Sequence, residues 1–248
     1  KQVDTAELNP DECVKTNIIG AMNLIDVCID RGVKKVVALS TDKASSPVNL
    51  YGATKLTSDK LFIAGNSYSG NQETLFSVVR YGNVMGSRGS VIPLFHHQAR
   101  DGKIFVTDPN MTRFMITVEE GVELVWRAIE DMEGGEVYVK KIPSMRLVDL
   151  AEAIAPGIER EIVGIRPGEK LHEQMISKED SLSTYEYDDY YKILPLINDW
   201  NKDPNRIKTG KLVSPSFTYS SDKNDDWMSA DQLREWIEAN ENFLSDSK

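Results

Sequence analysis

A doubly wound parallel α/β sheet is the fold class this chain predicts, and three patterns predict it. Helical periodicity recurs along the chain, the apolar runs between helices are short and rich in β-branched residues, and each run ends in a polar or glycine-rich turn that opens another helix. Apolar runs without alternation are how parallel strands buried on both faces read, and strands separated by helices need right-handed crossovers. In order along the chain, Asn9-Pro10 with Asp11 and Glu12 starts a helix: a capping side chain, a proline at the first helical position and carboxylates at the positive end of the dipole. Val14, Ile18, Ala21, Ile25 and Cys28 continue it at helical spacing to a stop at Arg31-Gly32. Lys35 to Ser40 then reads as a central buried strand. A helix from Asn49 to Ala64, a second buried strand from Leu75 to Val79 and a helix from Val91 to Arg100 repeat the pattern. Shorter elements follow: a strand at Ile104–Val106, a helix from Val118 to Met132, a strand from Glu136 to Val139, a helix from Leu147 to Ala155 and a strand from Ile162 to Ile165. They predict a smaller lobe grafted onto the sheet. After Ser181 only Tyr190 to Leu194 reads as a strand, and the capping box Ser229-Ala230-Asp231-Gln232 opens a last helix.

Composition narrows the function. A net charge of -10 repels a phosphate backbone, which argues against nucleic acid as partner. No apolar run approaches the ~20 residues of a membrane helix. Cys13 and Cys28 are too few for a disulfide framework, so a reduced, cytoplasmic setting is expected. His96 and His97 point to different helix faces and His172 stands alone, so no metal is expected. No Gly-x-Ser-x-Gly elbow supports acyl transfer.

The chemistry concentrates at strand ends, where ligands of open α/β sheets bind. Ser40-Thr41-Asp42-Lys43 closes one strand, and Tyr51 and Lys55 follow, four apart on one face of a helix. A Lys ammonium beside a phenol lowers its pKa, which makes Tyr51 a candidate general base. A Tyr-x-x-x-Lys pair by itself is more often a plain surface pair, and Asp42-Lys43 by itself a surface ion pair. Their joint position at a strand end favours catalysis. The loop from Arg80 to Ser90 offers glycines for close approach and Arg88 beside a helix start for anions. Arg113 and Arg166, read as loop residues after strands, complete three arginine loops that suit a diphosphate. Trp200, Trp227 and Trp236 read as packing residues of the tail, and Asn17 as a buried structural amide.

The segments Ala38-Leu39-Ser40-Thr41-Asp42-Lys43-Ala44, Asn49-Leu50-Tyr51-Gly52-Ala53-Thr54-Lys55, Val79-Arg80-Tyr81-Gly82-Asn83-Val84, Gly86-Ser87-Arg88-Gly89-Ser90, Met111-Thr112-Arg113-Phe114, Lys141-Ile142-Pro143-Ser144-Met145 and Arg166-Pro167-Gly168-Glu169-Lys170-Leu171-His172-Glu173 together carry a resemblance over essentially the whole chain. The chain resembles the extended short-chain dehydrogenase/reductase family, and within it the branch of UDP-N-acetylglucosamine 4,6-dehydratases that invert C5, of the pseudaminic acid type. The resemblance implies a Rossmann-like sheet in residues 1–102 and a substrate-binding lobe with a tail in residues 103–248, some segments crossing back. It implies NADP, with NAD as the alternative, and a homo-oligomer, of hexameric type in some members. Thr41 and Tyr51 would sit at the C4 hydroxyl, with Lys55 holding Tyr51 ionisable. Asp42 would be the acid and Lys43 the base of the elimination. Tyr51, Lys55, which would bond the nicotinamide ribose, Ser40, Tyr81, Asn83 and Lys1 would lie at the cofactor. Asn83, Val84, Met85, Gly86, Ser87, Arg88, Thr107, Arg113, Arg166 and Glu169, with Lys43, would hold the UDP-sugar.

One departure stands out: the family's opening strand and glycine-rich pyrophosphate loop do not occur here. Two or three βα units, on the order of 80–100 residues, are therefore expected to be missing, leaving a bare sheet edge. A UDP-sugar 4-epimerase and a non-catalytic nucleotide-sugar-binding fragment are the alternative readings.

Overall fold

Helices and apolar strands alternate as expected in the computed structural model, which describes residues 3–70, 73–87 and 90–240. The chain divides into two units, each assembled from three separated stretches.

The first unit takes residues 1–81, 122–141 and 174–219. Its sheet has six strands. Lys35–Leu39, Leu75–Arg80 and Val137–Lys140 run parallel, and Tyr190–Ile193, Thr184–Glu186 and Lys211–Leu212 extend the sheet antiparallel. The alternation of a strand decides which helix covers which face. Phe76 points to one side, against Phe62 and Gly65 of the Leu50–Tyr68 helix. Val79 points to the other, into a cluster with Leu124 and Ala128 of the Val118–Asp131 helix and with Met132, Tyr138 and Tyr190. Helices on both faces of parallel strands are the doubly wound arrangement.

The second unit takes residues 82–121, 142–173 and 220–248. Asn83–Val84 pairs parallel with Thr112–Ile116, which pairs antiparallel with Ser144–Arg146, and Lys103–Val106 pairs parallel with Glu159–Ile162. Ile92 and Phe95, Leu150 and Ala151, and Leu233 and Ile237 bring the unit's three longer helices to one core with Ile104, Met111 and Met145. The capping box at Ser229 forms as expected, its hydroxyl accepting from Gln232 N–H.

Several elements differ from the sequence reading. Lys35–Leu39 is an edge strand, not a central one: Leu75–Val79 is its partner, its middle residues are half-buried and Leu39 is 52% exposed. One edge of the six-stranded sheet is therefore formed by a strand of apolar composition. The first long helix is preceded by a separate turn of helix, Val3–Leu8, and widens to a π-helical turn at Lys15–Ile19. Thr112–Ile116, read as a loop, is a fully buried strand. The strand read at Ile162–Ile165 instead ends at Ile162, because Gly164 takes a φ of +87° and turns the chain. Beyond Ser181, Thr184–Glu186 and Lys211–Leu212 join Tyr190–Ile193 as short strands.

Candidate active site

In the first unit, backbone pairing carries the strand end into the candidate site. Ser40 N–H donates to Val79 O at 2.8 Å and Asp42 N–H to Tyr81 O at 3.1 Å, so residues 40–42 run alongside 79–81 past the end of the strands. Thr41 caps a 3-10 turn over Asp42–Ala44, its hydroxyl accepting from Lys43 N–H. That hydroxyl donates to Asp42 Oδ1 at 2.8 Å, and Lys43 Nζ donates to the same oxygen at 3.0 Å. All three side chains are buried, Asp42 completely. A hydroxyl, a carboxylate and an amine thus meet on one oxygen.

The Leu50–Tyr68 helix brings the second group. Asn49 caps it by accepting from Gly52 N–H at 2.7 Å, and the Glu7 carboxylate accepts from Leu50 N–H at 2.6 Å. Two acceptors on the first turn suit the unpaired amides and the dipole of a helix start. Gly52 is required by contact: a Cβ there would lie 2.2 Å from Lys43 O. The helix start therefore rests directly on the turn that bears Asp42 and Lys43. Tyr51 is half-buried, and burial pushes its phenol up to about 12, with the Lys43 charge acting in the opposite direction. This differs from the sequence expectation: burial outweighs the cation, and the cation that favours the phenolate is Lys43. Lys55 Nζ donates to Leu39 O at 2.7 Å, and burial lowers its pKa, opposed by the charge of Asp59.

Asn17 is half-buried and not the buried amide expected; it donates to Thr54 Oγ1 at 3.0 Å, while the Thr54 hydroxyl donates to Tyr51 O. A cavity of about 320 Å³ lined by Thr5, Cys13, Asn17 and Tyr51 lies beside this contact. Tyr81 is half-buried against the Leu124–Tyr138 cluster.

Apart from Lys43, the residues expected to hold the substrate lie in the second unit. Asn83 and Val84 form a short strand, Met85 is buried with its N–H on Ile116 O at 2.9 Å, and Gly86 takes a φ of +69° before exposed Ser87. Thr107 follows the Lys103–Val106 strand, half-buried. Arg166 is exposed and its guanidinium pairs with Glu169. Arg113 is not a solvated loop cation: on its buried strand it donates to Thr112 O, Leu171 O and Glu169 Oε1. With Thr112 N–H on Leu171 O and the Thr112 hydroxyl 2.8 Å from His172 Nδ1, it pins the 166–173 segment in place. Lys1 and Arg88 lie outside the described residues.

The donor set of the first unit fits the nicotinamide end of a dinucleotide: a phenol and an ammonium one helical turn apart at the carboxyl ends of parallel strands. No Gly-x-x-Gly-x-x-Gly pattern occurs in the sequence. Among the described residues, no group of three or more His, Cys, Asp or Glu is arranged for a metal, and no helix is long and apolar enough to cross a membrane.

A doubly wound sheet whose Tyr-x-x-x-Lys helix rests on a strand-end hydroxyl defines a protein of the extended short-chain dehydrogenase/reductase class. The chain belongs to the polysaccharide biosynthesis protein family, whose model matches residues 1–195. Over 98% of its length it is 53% identical to the UDP-N-acetylglucosamine 4,6-dehydratase (inverting) of Campylobacter jejuni, covering 75% of that protein. It is 43% identical over 89% of its length to a UDP-glucose 4-epimerase of Rickettsia canadensis, covering 66% of it. The X-ray structure of Pen from Bacillus thuringiensis superposes with a TM-score of 0.86 at 38% identity, over 98% of this chain and 73% of that one.

Proposed function

We propose that this protein is a UDP-N-acetylglucosamine 4,6-dehydratase that inverts C5, giving a UDP-2-acetamido-2,6-dideoxy-hexos-4-ulose. The observation that carries the reading is the buried Thr41-Asp42-Lys43 cluster, in which Asp42 and Lys43 share a 3.0 Å hydrogen bond. An elimination needs an acid for the leaving hydroxyl and a base for the adjacent carbon. A proton moved along that bond turns the carboxylate–ammonium pair into a carboxylic acid and an amine with no change of net charge, and exclusion of water favours the neutral pair.

A bound nicotinamide dinucleotide, NADP on the family resemblance with NAD as the alternative, supplies a hydride acceptor at C4 and a hydride donor at C6. Tyr51, with Thr41 beside the C4 hydroxyl, takes the O4 proton. The C4 ketone acidifies C5; Lys43 as the amine takes the C5 proton, and Asp42 as the acid protonates the C6 hydroxyl, which leaves as water. The pair ends as carboxylate and ammonium, as it began; the hydride returned to C6 leaves an enolate, and a proton from solvent taken by C5 on the face opposite the one removed gives the inverted product, while the O4 proton held by Tyr51 is returned to solvent. The nucleotide contacts are assigned, on the family resemblance, to Asn83 to Arg88, Thr107, Arg113, Arg166 and Glu169. The homo-oligomeric state and the cytoplasmic location rest on the family resemblance and on the acidic chain with two free thiols.

An epimerase needs the C4 step alone and has no use for a buried acid–base pair beside it. Incubation with UDP-N-acetylglucosamine and the dinucleotide in deuterated water separates the two: a C6 methyl signal with deuterium at C5 is expected, and a galacto product without a methyl group overturns the assignment. Lys43→Ala should lower elimination about 10²–10⁴-fold, the usual worth of a positioned base, with UDP-sugar affinity nearly unchanged.

A further inference from the structure

The Leu50–Tyr68 helix carries one buried carboxylate that the reaction above does not use. Asp59 is 2% exposed and stands one turn beyond Lys55 and two beyond Tyr51 on the same face. The Ser40 hydroxyl donates to its Oδ2 at 2.7 Å and Arg80 Nη2 to the same oxygen at 3.4 Å. Arg80, also buried, is held from its other side by Met175 O at 2.8 Å and the Asp180 carboxylate at 3.8 Å. One carboxylate therefore joins the helix of Tyr51 and Lys55, the residue before Thr41 and the residue before Tyr81. A buried charge is retained only where its partners offset the loss of water, and this one has its partners on the two strand ends that enter the candidate site.

We infer that Asp59 is a positioning residue: it fixes the Leu50–Tyr68 helix against the two strand ends, and it sets a buried negative charge one helical turn from Lys55. The catalytic consequence rests on the assignment of Lys55 under Proposed function; the electrostatic statement does not. Burial lowers the Lys55 pKa and the Asp59 charge opposes it, while Asp59 itself is pushed up by burial and held down by Arg80, Ser40 and Lys55. The groups facing this set are Arg80 and Asp180 behind Asp59, with Lys43, Asp42, Tyr81 and Cys13 around Tyr51.

The test needs no turnover. In the 248-residue protein labelled with [13Cε]lysine, the Lys55 resonance is assigned by its loss in Lys55→Arg and followed against pH by NMR. In Asp59→Asn its midpoint should fall by about one pH unit or more, because the opposing negative charge is gone. Asp59→Glu should restore it, which a purely steric role would not do. Should Asp59→Asn fail to fold with Arg80 left uncompensated, the double variant Asp59→Asn/Arg80→Gln removes both buried charges, and the midpoint should still lie below that of the unsubstituted protein. A midpoint at or above the unsubstituted value in either folded variant overturns the inference. A protein that shows the expected shift but makes no methyl product overturns the dehydratase reading instead.

Discussion

Replacing Gly52 by alanine is a small change with a large expected effect. The added Cβ would lie 2.2 Å from Lys43 O, 3.0 Å from Pro47 Cβ and 3.1 Å from Lys43 C, and ordinary contact begins at 3.4 Å. The shortfall of about 1.2 Å is against backbone, so no side chain can swing away and the helix start and the Asp42–Ala44 turn must part. Tyr51 moves with the helix and Lys43 with the turn. A displacement of about 1 Å between groups that must act together costs on the order of 10²-fold in rate, while overpacking costs ~1–3 kcal/mol of stability. Gly52→Ala should therefore lower kcat about 100-fold with substrate affinity within a few-fold, the fold verified by circular dichroism and kcat by the methyl-product assay. Gly121→Ala is the control: nothing lies within 4 Å of its Cβ position in the Val118–Asp131 helix, so it should be neutral or stabilising by up to ~1 kcal/mol. Near-normal turnover in Gly52→Ala would show that the close approach of helix and turn does not set the site's geometry.

Two further outcomes follow from charge. The Tyr51 phenol, pushed up to about 12 by burial and drawn down by Lys43, should titrate higher still in Lys43→Met and lower in Asp42→Asn, read by ultraviolet difference titration against Tyr51→Phe. Burial pushes the Asp131 carboxyl up, but hydrogen bonds from Lys192 and Lys208 outweigh it and hold it below the usual range. Asp131→Asn leaves Lys192, which has no exposed surface, without its anion and should cost about 3–5 kcal/mol. At 2–4 °C per kcal/mol for a chain of this size, that is a Tm loss of roughly 6–20 °C. Because the folded carboxyl is depressed, its contribution is present above pH ~4 and is lost as pH falls further, so the two proteins' Tm values should converge in acid; a constant gap contradicts the charge argument.

The residues that build the site were legible where local chemistry decides the structure. Asn49 before an apolar-periodic run marks a helix start, and it caps that helix; Ser40 to Lys43 ends an apolar run, and the chain turns there. Long-range pairing was not legible. Met111-Thr112-Arg113-Phe114 looks like a loop because a cation interrupts it, and only the Leu171 and Glu169 acceptors, 58 and 56 residues away, explain why Arg113 can be buried in a strand. The Asp59–Arg80 pair went unread for the same reason, although its spacing of four from Lys55 is a signal in plain view. Lys35–Leu39 has the composition of a central strand but is covered on one side by its neighbour only, a matter of what pairs with it and not of its own sequence. The sign at Tyr51 needed the burial of the phenol, which residue spacing does not contain.

The division of each unit into three separated stretches has a consequence for how the protein is made. The six-stranded sheet is incomplete until Leu212 follows Lys35 out of the ribosome, an interval of roughly 9–35 s at about 5–20 residues per second. Neither unit can close around a contiguous nascent segment, so the edge of Leu75–Arg80 stays open until Val137–Lys140 emerges to pair with it. The demand on the cell's chaperones is thus set by the order in which the chain visits its two units.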